Sequence, residues 1–326
     1  MIIASCPTRI SFGSLDHSPY SENFGGVALS ACIDKRVYIL IRERNHLENY
    51  KYRISYSKTE LCNSVEEIQH PIVREALLML NIKDPLEIIY LSDVPAQSGL
   101  ATSSAMTIAL LRALYYYKNI GISADMLMYK AYELERVRLK EKGGWQDHIS
   151  VFGGLNYSVG SPFKVKREPL LLSPERMESL QQHLLLLYVG NAVSSHDILQ
   201  EQLTNLKKGK TLEESSRIKK LVEEMSILIR RADFNPMYLA PALKEAWEYK
   251  KKLSSSITSP DIQKIEDVIK ELCPSAGYRL IGAGGRGLLM VLAEPKDIKC
   301  IKETATAPVL GFTFDFEGVK VTRIHR

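Results

Sequence analysis

The chain lacks most of the special chemistry that would assign it quickly. Its five cysteines, Cys6, Cys32, Cys62, Cys273 and Cys300, are odd in number, widely scattered and form no Cys-x-x-Cys pair. That argues against a disulfide framework or a zinc ribbon and predicts reduced thiols in a cytoplasmic protein. No apolar run reaches the ~18 residues of a membrane span; the richest, over 108–117, is broken by Arg112. The opening MIIASCPTRISF has no basic start followed by a long apolar stretch, so it does not read as a signal peptide. Charge of one sign is scarce too. Lys and Arg number 43 against 38 Asp and Glu, a net +5, too mild to imply nucleic acid. None of the seven histidines stands in His-Glu-x-x-His or another ligand spacing, no Gly-x-Ser-x-Gly elbow occurs, and no Walker A loop is present. These absences leave a soluble intracellular α/β protein with no nucleic acid or membrane partner, and a homo-oligomer stays open.

What is present is ordinary in amount. At 326 residues, 45% hydrophobic and 25% charged, the chain suits two packed lobes better than one core. Strands are predicted at 2–4, 36–41, 52–56 and 86–91, then helices over 103–117, apolar nearly all round, and 123–140, amphipathic. LNYSV (155–159) reads as a strand. The Pro-containing stretch 164–173 reads as irregular and marks the expected boundary, giving a nucleotide-binding and catalytic lobe over 1–172 and a closing lobe over 173–326. The second half is predicted as a strand at 184–189, helices over 212–232, 236–253 and 260–272, and strands at 278–281, 288–293, 312–316 and 319–324. Strands and helices segregated in this way predict an α+β fold.

Four segments carry the chemistry. Pro95-Ala-Gln-Ser-Gly-Leu-Ala-Thr-Ser-Ser-Ala105 lies between a strand and a buried helix. Gly99 lets backbone approach a ligand, and Ser103 and Ser104 fall in the first helical turn, where free N–H groups favour anions. The segment reads as a phosphate cradle or as an ordinary Ser-capped helix. In the second segment, helical spacing turns Glu135 towards the lobe and Glu133 to solvent. A part-buried carboxylate near a phosphate cradle suits Mg²⁺, and Asp147, after Gly143-Gly144, suits a general base. A surface ion pair for Glu135 and a helix cap for Asp147 are the plainer alternatives. Third, Gly282-Ala-Gly-Gly-Arg-Gly287 matches Gly-x-Gly-x-x-Gly, but LLMVLA follows as a strand, so it is no Rossmann fingerprint. It reads as a Gly-rich turn over a ligand, with Arg286 able to meet an anion. The fourth segment runs from Pro7 through Asp16 and His17 to Gly25-Gly26.

In this order and at these distances the segments resemble the three motifs of the GHMP kinases, the superfamily of galactokinase, homoserine kinase and mevalonate kinase. Within it, PTRISF…D…PY…GG and GGWQDHISVFGGLNY are similar to the heptose 7-phosphate kinase-like sugar kinases. The resemblance covers essentially the whole chain. It implies a two-lobed fold with a ribosomal-protein-S5-like first lobe and a ferredoxin-like second lobe. It also implies ATP- and Mg²⁺-dependent phosphorylation of a sugar or sugar-phosphate hydroxyl. By matching position, Pro95 and 97–104 (Gln97, Ser98, Gly99, Leu100, Ala101, Thr102, Ser103, Ser104) would hold ATP, and Ser104 and Glu135 the metal. Asp147 would be the catalytic acid–base group, with Arg9 beside it keeping it ionised. Asp16, His17, Trp145, Gly284, Gly285 and Arg286 would face the acceptor. Three departures bear on that acceptor: a shorter 13–16 turn, Trp145 where those kinases often carry Lys (a ring able to stack on a sugar), and Arg286 within the glycines. A non-sugar alcohol such as mevalonate or homoserine, or an idle sensor of sugar and nucleotide, are the rival readings.

Overall fold

The computed structural model describes residues 1–17, 20–45, 48–190 and 195–324. The first half runs β1 (Ile2–Leu15), α1 (Tyr20–Phe24), β2 (Gly26–Glu43), β3 (Tyr52–Ser55), β4 (Thr59–Cys62), α2 (Pro71–Met79), β5 (Leu86–Ser92), α3 (Thr102–Tyr117) and α4 (Ala124–Tyr132). A π-helical turn (Glu133–Arg138) and a 3₁₀ segment (Gln146–Phe152) follow, then β6 (Leu155–Ser161) and β7 (Lys164–Pro169). The second half runs α5 (Pro174–Gln182), β8 (Leu184–Tyr188), α6 (Ser195–Lys207), α7 (Leu212–Ile229), a 3₁₀ turn (Pro236–Leu239), α8 (Ala240–Lys251), α9 (Pro260–Leu272), β9 (Gly277–Leu280), β10 (Leu288–Leu292), α10 (Pro295–Thr304) and β11 (Lys320–Arg323).

Two sheets organise the molecule. The larger has eight strands in the order β11-β1-β2-β5-β3-β4, with β6 also on β2 and β7 on β6. It is mixed, because β3 and β5 pair in parallel while the other ladders are antiparallel. The smaller is antiparallel, β8-β10-β9, and an isolated bridge between Leu187 and Val309 flanks β8. This is the segregated α+β, two-lobed arrangement. Three expectations are corrected. Residues 164–169 form the outer strand of a hairpin with β6 rather than an irregular link, and 312–316 make only a bridge at Phe314. The helix expected over 123–140 changes to π geometry after Tyr132.

The face-switching of β1 positions the site. Ile2, Ala4 and Cys6 belong to the core beneath α2–α4, whereas Ile10 and Phe12 belong to the core shared with α7, α8 and the small sheet. Strict alternation would keep all five on one face. The ladder instead shifts register between Pro7 and Thr8, whose partners on β2 are Arg36 and Ile33, so two extra β2 residues are taken up. A shift of this kind moves the pattern to the opposite face. It leaves Arg9 and Ser11 on the α3 side.

Beside this bulge, Arg36 is buried and bonds Asp315, Ser5 and the Gly318 carbonyl (2.6 Å). Asp315 in turn accepts the Glu317 and Gly318 amides, both at 3.0 Å. This clasp ties the returning C-terminal segment to β1 and β2. Arg36→Met should cost about 3–5 kcal/mol by leaving a buried carboxylate uncompensated, with Arg36→Met/Asp315→Leu recovering much of it. Urea unfolding measures both, and a single variant within about 1 kcal/mol of the native protein would contradict the assignment.

Candidate active site

A cavity of about 250 Å³ lies between the two sheets. Arg9, Ser11, Asp16 and His17 line it from the first strand and its exit, and Gln97, Gly99, Ala101, Thr102, Ser103 and Ser104 from the loop into α3. Glu135, Arg136, Gly144, Gln146 and Asp147 form a third side. Lys250, Arg279, Gly282, Ala283, Gly284 and Arg286 come from the second half. The four segments singled out in the sequence therefore meet in one place.

The loop approaches its neighbours at backbone distance. Gly99 has φ +85°, and a Cβ there would lie 2.6 Å from the Ile281 carbonyl oxygen, so only glycine fits. Ala101 is left-handed (φ 63°) and begins α3 without a side-chain cap. The Ser-capped alternative is thus not what forms, and the first-turn amides of α3 remain without a side-chain partner.

Below that helix start, Ser104 Oγ donates to Glu135 Oε2 at 2.8 Å and Thr107 Oγ1 to Glu135 Oε1 at 2.6 Å. His148 Nε2 lies 3.2 Å and Arg136 Nη1 3.3 Å from Oε2. Glu135 is fully buried, which by itself raises a carboxyl pKa, but His148, Arg136 and Thr107 outweigh burial and bring it to about 2. It is an anion at neutral pH. Two oxygens 2.0–2.1 Å from an octahedral Mg²⁺ stand about 2.9 Å apart. The Ser104–Glu135 pair has that spacing and that hard-oxygen chemistry.

Asp147 is the second residue of the 3₁₀ segment. Arg9 Nη2 donates to its Oδ1 at 2.5 Å, and Arg136 Nη2 lies 4.0 Å from Oδ2. Burial again pushes its pKa up, and Arg9, then Arg136, pull it down to about 2. Arg9 also donates Nη1 to the Gly99 carbonyl at 2.7 Å. Asp16 is buried, and its Oδ2 accepts the Gln146 amide at 2.7 Å, while His17 bridges to Gly144. Gln146 Nε2 reaches Ser11 Oγ at 2.8 Å.

Several expected residues lie elsewhere. Trp145 is 1% exposed and packed in the core under α3 and α4; it is no stacking platform, because its ring fills the interior behind the 3₁₀ segment. Pro95 is exposed outside the cavity, Leu100 and Ser98 are buried behind the loop, and Gly285 is buried with its amide on the Ile257 carbonyl (2.8 Å). These four support the loops rather than line the cavity. Arg286 is exposed at its rim.

Sequence reasoning missed Thr107, Arg136, His148, Lys250 and Arg279. Thr107 is three residues from Ser104 on the same face of α3, a spacing that could have flagged it. Arg136 lies in the π turn and reaches the cavity beside Glu135 through its long side chain. Arg279 is buried and Lys250 half-buried. Burial, then Arg279 and Arg9, depress the Lys250 ammonium well below its ordinary value, and burial with Arg9 lowers Arg279 to about 10.

The fold and cavity define a two-lobed α+β protein whose cleft joins a helix-start anion seat, a hard-oxygen pair and an ionised aspartate. Residues 63–154 match the GHMP kinases N terminal domain. It is 27% identical to the D-glycero-alpha-D-manno-heptose 7-phosphate kinase of Campylobacter jejuni, over 98% of each chain. It is 29% identical to a bifunctional fucokinase/GDP-fucose pyrophosphorylase of Arabidopsis thaliana, over 73% of this chain and 23% of that longer protein. The crystal structure of a D-glycero-D-manno-heptose 1-phosphate kinase from Bacteroides thetaiotaomicron superposes with a TM-score of 0.80, at 22% identity, over all of both chains. Among the described residues no helix is long and apolar enough to cross a membrane.

The contact between Gly144 and Asp16 is a direct test of this geometry. A Cβ on Gly144 would sit 1.9 Å from Asp16 Oδ2. Gly144→Ala should displace that carboxylate and cost about 1–3 kcal/mol. Unfolding free energies of Gly144→Ala and Asp16→Asn/Gly144→Ala measure this. An unchanged single variant would show that Asp16 does not occupy this position.

Proposed function

We propose that the protein is an ATP-dependent kinase that phosphorylates a hydroxyl of a sugar or sugar phosphate. The observation that carries this reading is Asp147, held ionised by Arg9, in the same cavity as the Ser104–Glu135 oxygen pair and the open start of α3. The full-length likeness to a heptose-phosphate kinase and the likeness to a fucokinase favour a sugar over mevalonate or homoserine. A passive sensor has no use for an ionised aspartate at the meeting point.

In this mechanism the amides of 102–104, with Ser103, bind the nucleotide phosphates at the helix start. Ser104 and Glu135 would hold a magnesium ion, which would neutralise charge on those phosphates. Arg136, between Glu135 and Asp147, faces charge developing on the transferred group. Asp16 and His17 position the acceptor. The acceptor oxygen bonds to the γ-phosphorus as the bond to the ADP oxygen breaks, and the hydroxyl proton leaves through Asp147 to solvent. A carboxylate with a pKa near 2 is a weak proton acceptor, so Asp147 acts chiefly by orienting the hydroxyl. Positioning and fixed charge supply most phosphoryl-transfer catalysis. We also assign the nucleotide and the base to residues 1–172 and closure of the site to 173–326, supported by the cavity walls each half supplies.

Asp147→Asn should lower turnover by roughly 10²–10⁴-fold while the affinity for a non-hydrolysable ATP analogue stays within about twofold. ADP production over a sugar and sugar-phosphate panel, beside calorimetry, tests this, and full turnover in the variant would refute the kinase assignment. The lowered pKa fixes the pH response as well. Asp147 stays ionised as pH falls past its ordinary 3.8 and protonates only towards about 2. The kcat profile of stable protein should therefore show no acidic limb from this residue between pH 8 and pH ~5. A limb near pH 6 that vanishes in Asp147→Asn would contradict the arrangement.

A further inference from the structure

The cavity holds more cations than its carboxylates need. Arg9 is paired with Asp147 and Arg136 with Glu135. Lys250 and Arg279 have no such partner. Among the described residues, no carboxylate lies within 4.0 Å of either cation; the Lys250 ammonium bonds the Gly282 carbonyl, and Arg279 Nε is buried without any hydrogen bond. Arg279 is 4% exposed. A buried cation lacking an anion is costly; Arg279 on β9 is such a cation, and the half-buried Lys250 on α8 lines the same cavity.

We propose that Lys250 and Arg279 form the seat for a phosphate already carried by the acceptor, so that the substrate is a sugar phosphate and not a free sugar. This rests on the kinase reading above and assigns its acceptor class. A phosphate dianion supplies what the pair lacks: two negative charges and several acceptor oxygens for an ammonium and a planar guanidinium. Arg279 sets this group towards the acceptor, whereas Lys250, on the Gly282 carbonyl beside Gly99, stands between it and the nucleotide loop. The nucleotide phosphates have the amides of 102–104 and the Ser104–Glu135 pair. Arg279 lies at the other end of β1, where a Cβ on Gly13, three residues before Asp16, would stand 3.3 Å from its Nη1. The seat is thus beside the residues assigned to the acceptor. It also accounts for a buried guanidinium and a half-buried ammonium that, among the described residues, no carboxylate offsets.

The test compares hexose and heptose monophosphates, their parent sugars and inorganic phosphate, by thermal stabilisation without nucleotide and by ADP production with ATP. The native protein should be stabilised by the sugar phosphates and by inorganic phosphate at concentrations where parent sugars have no effect. Lys250→Met and Arg279→Gln should abolish that stabilisation and raise the acceptor KM on the order of 100-fold, with affinity for a non-hydrolysable ATP analogue within about twofold. Arg279→Lys should recover part of the loss. Removing an unpaired buried charge should leave the unliganded melting temperature equal or higher; if the variants do not fold, the native comparison alone decides. Equal stabilisation by a sugar and its phosphate would overturn the proposal. So would a variant that loses the ATP analogue but keeps sugar-phosphate binding, which would give the pair to the transferred phosphoryl. Turnover of free sugars, insensitive to both variants, would sink the seat and leave the kinase standing. Phosphate-dependent stabilisation without ADP from any acceptor would do the reverse.

Discussion

Arg9 is the residue on which three parts of the site converge. Its main-chain amide donates to the Leu100 carbonyl at 3.1 Å, its Nη1 to the Gly99 carbonyl, and its Nη2 to Asp147. Strand β1, the loop into α3 and the 3₁₀ segment are thereby fixed to one planar group. The guanidinium suits this because its donors are rigidly oriented, whereas a lysine would offer one mobile point charge. The arrangement depends on the register shift at Pro7/Thr8. Without it Arg9 would point to the face of the α7 and α8 core, and Ile10 and Phe12 to the face of α3.

That dependence explains what the sequence disclosed and what it hid. Short-range patterns were legible: α3 begins within a residue of expectation, α9 spans Pro260–Leu272 as read, and Glu135 faces inward because helical spacing requires it. Features set by long-range pairing were not. The bulge in β1 exists only against β2. The strand at Lys164–Pro169 looked irregular because its burial is weak, and pairing with β6 makes it a strand. Lys250 begins a run of three lysines that reads as a solvated face, yet it is the one turned into the cleft. Trp145 follows two glycines in a segment rich in site residues, which suggested a ligand contact. Packing beneath α3 and α4 claims its large apolar surface instead.

Glu135, fully buried, and Asp147, with its side chain 31% exposed, show how one cavity keeps two carboxylates ionised. Burial pushes the pKa of each up. Arg136 lies within 4.0 Å of each, so a single cation supports two anions, with His148 and Arg9 completing the balance. Arg136 does this from the π-helical turn, its long side chain reaching past Glu135 to Asp147. Such local departures from regular helix concentrate where a site needs adjacent residues to face one way. Their cost is offset by the hydrogen bonds that Glu135 accepts from Ser104 and Thr107.

The cleft is also mechanically continuous across its two halves. A Cβ on Gly282 would stand 2.9 Å from Gly99 Cα, so the Gly-rich turn and the loop into α3 meet backbone to backbone. Gly282 offers its carbonyl to Lys250, and Gly99 offers its own to Arg9. Lys250, Gly282, Gly99, Arg9 and Asp147 thus form one unbroken line of contacts. Close-packed backbone of this kind cannot yield at one point without shifting its neighbours. An anion drawing Lys250 away from Gly282 would therefore act on the same loop that holds Arg9 against Asp147. The acceptor end and the reacting end are coupled through two glycines, and a side chain at either would wedge them apart.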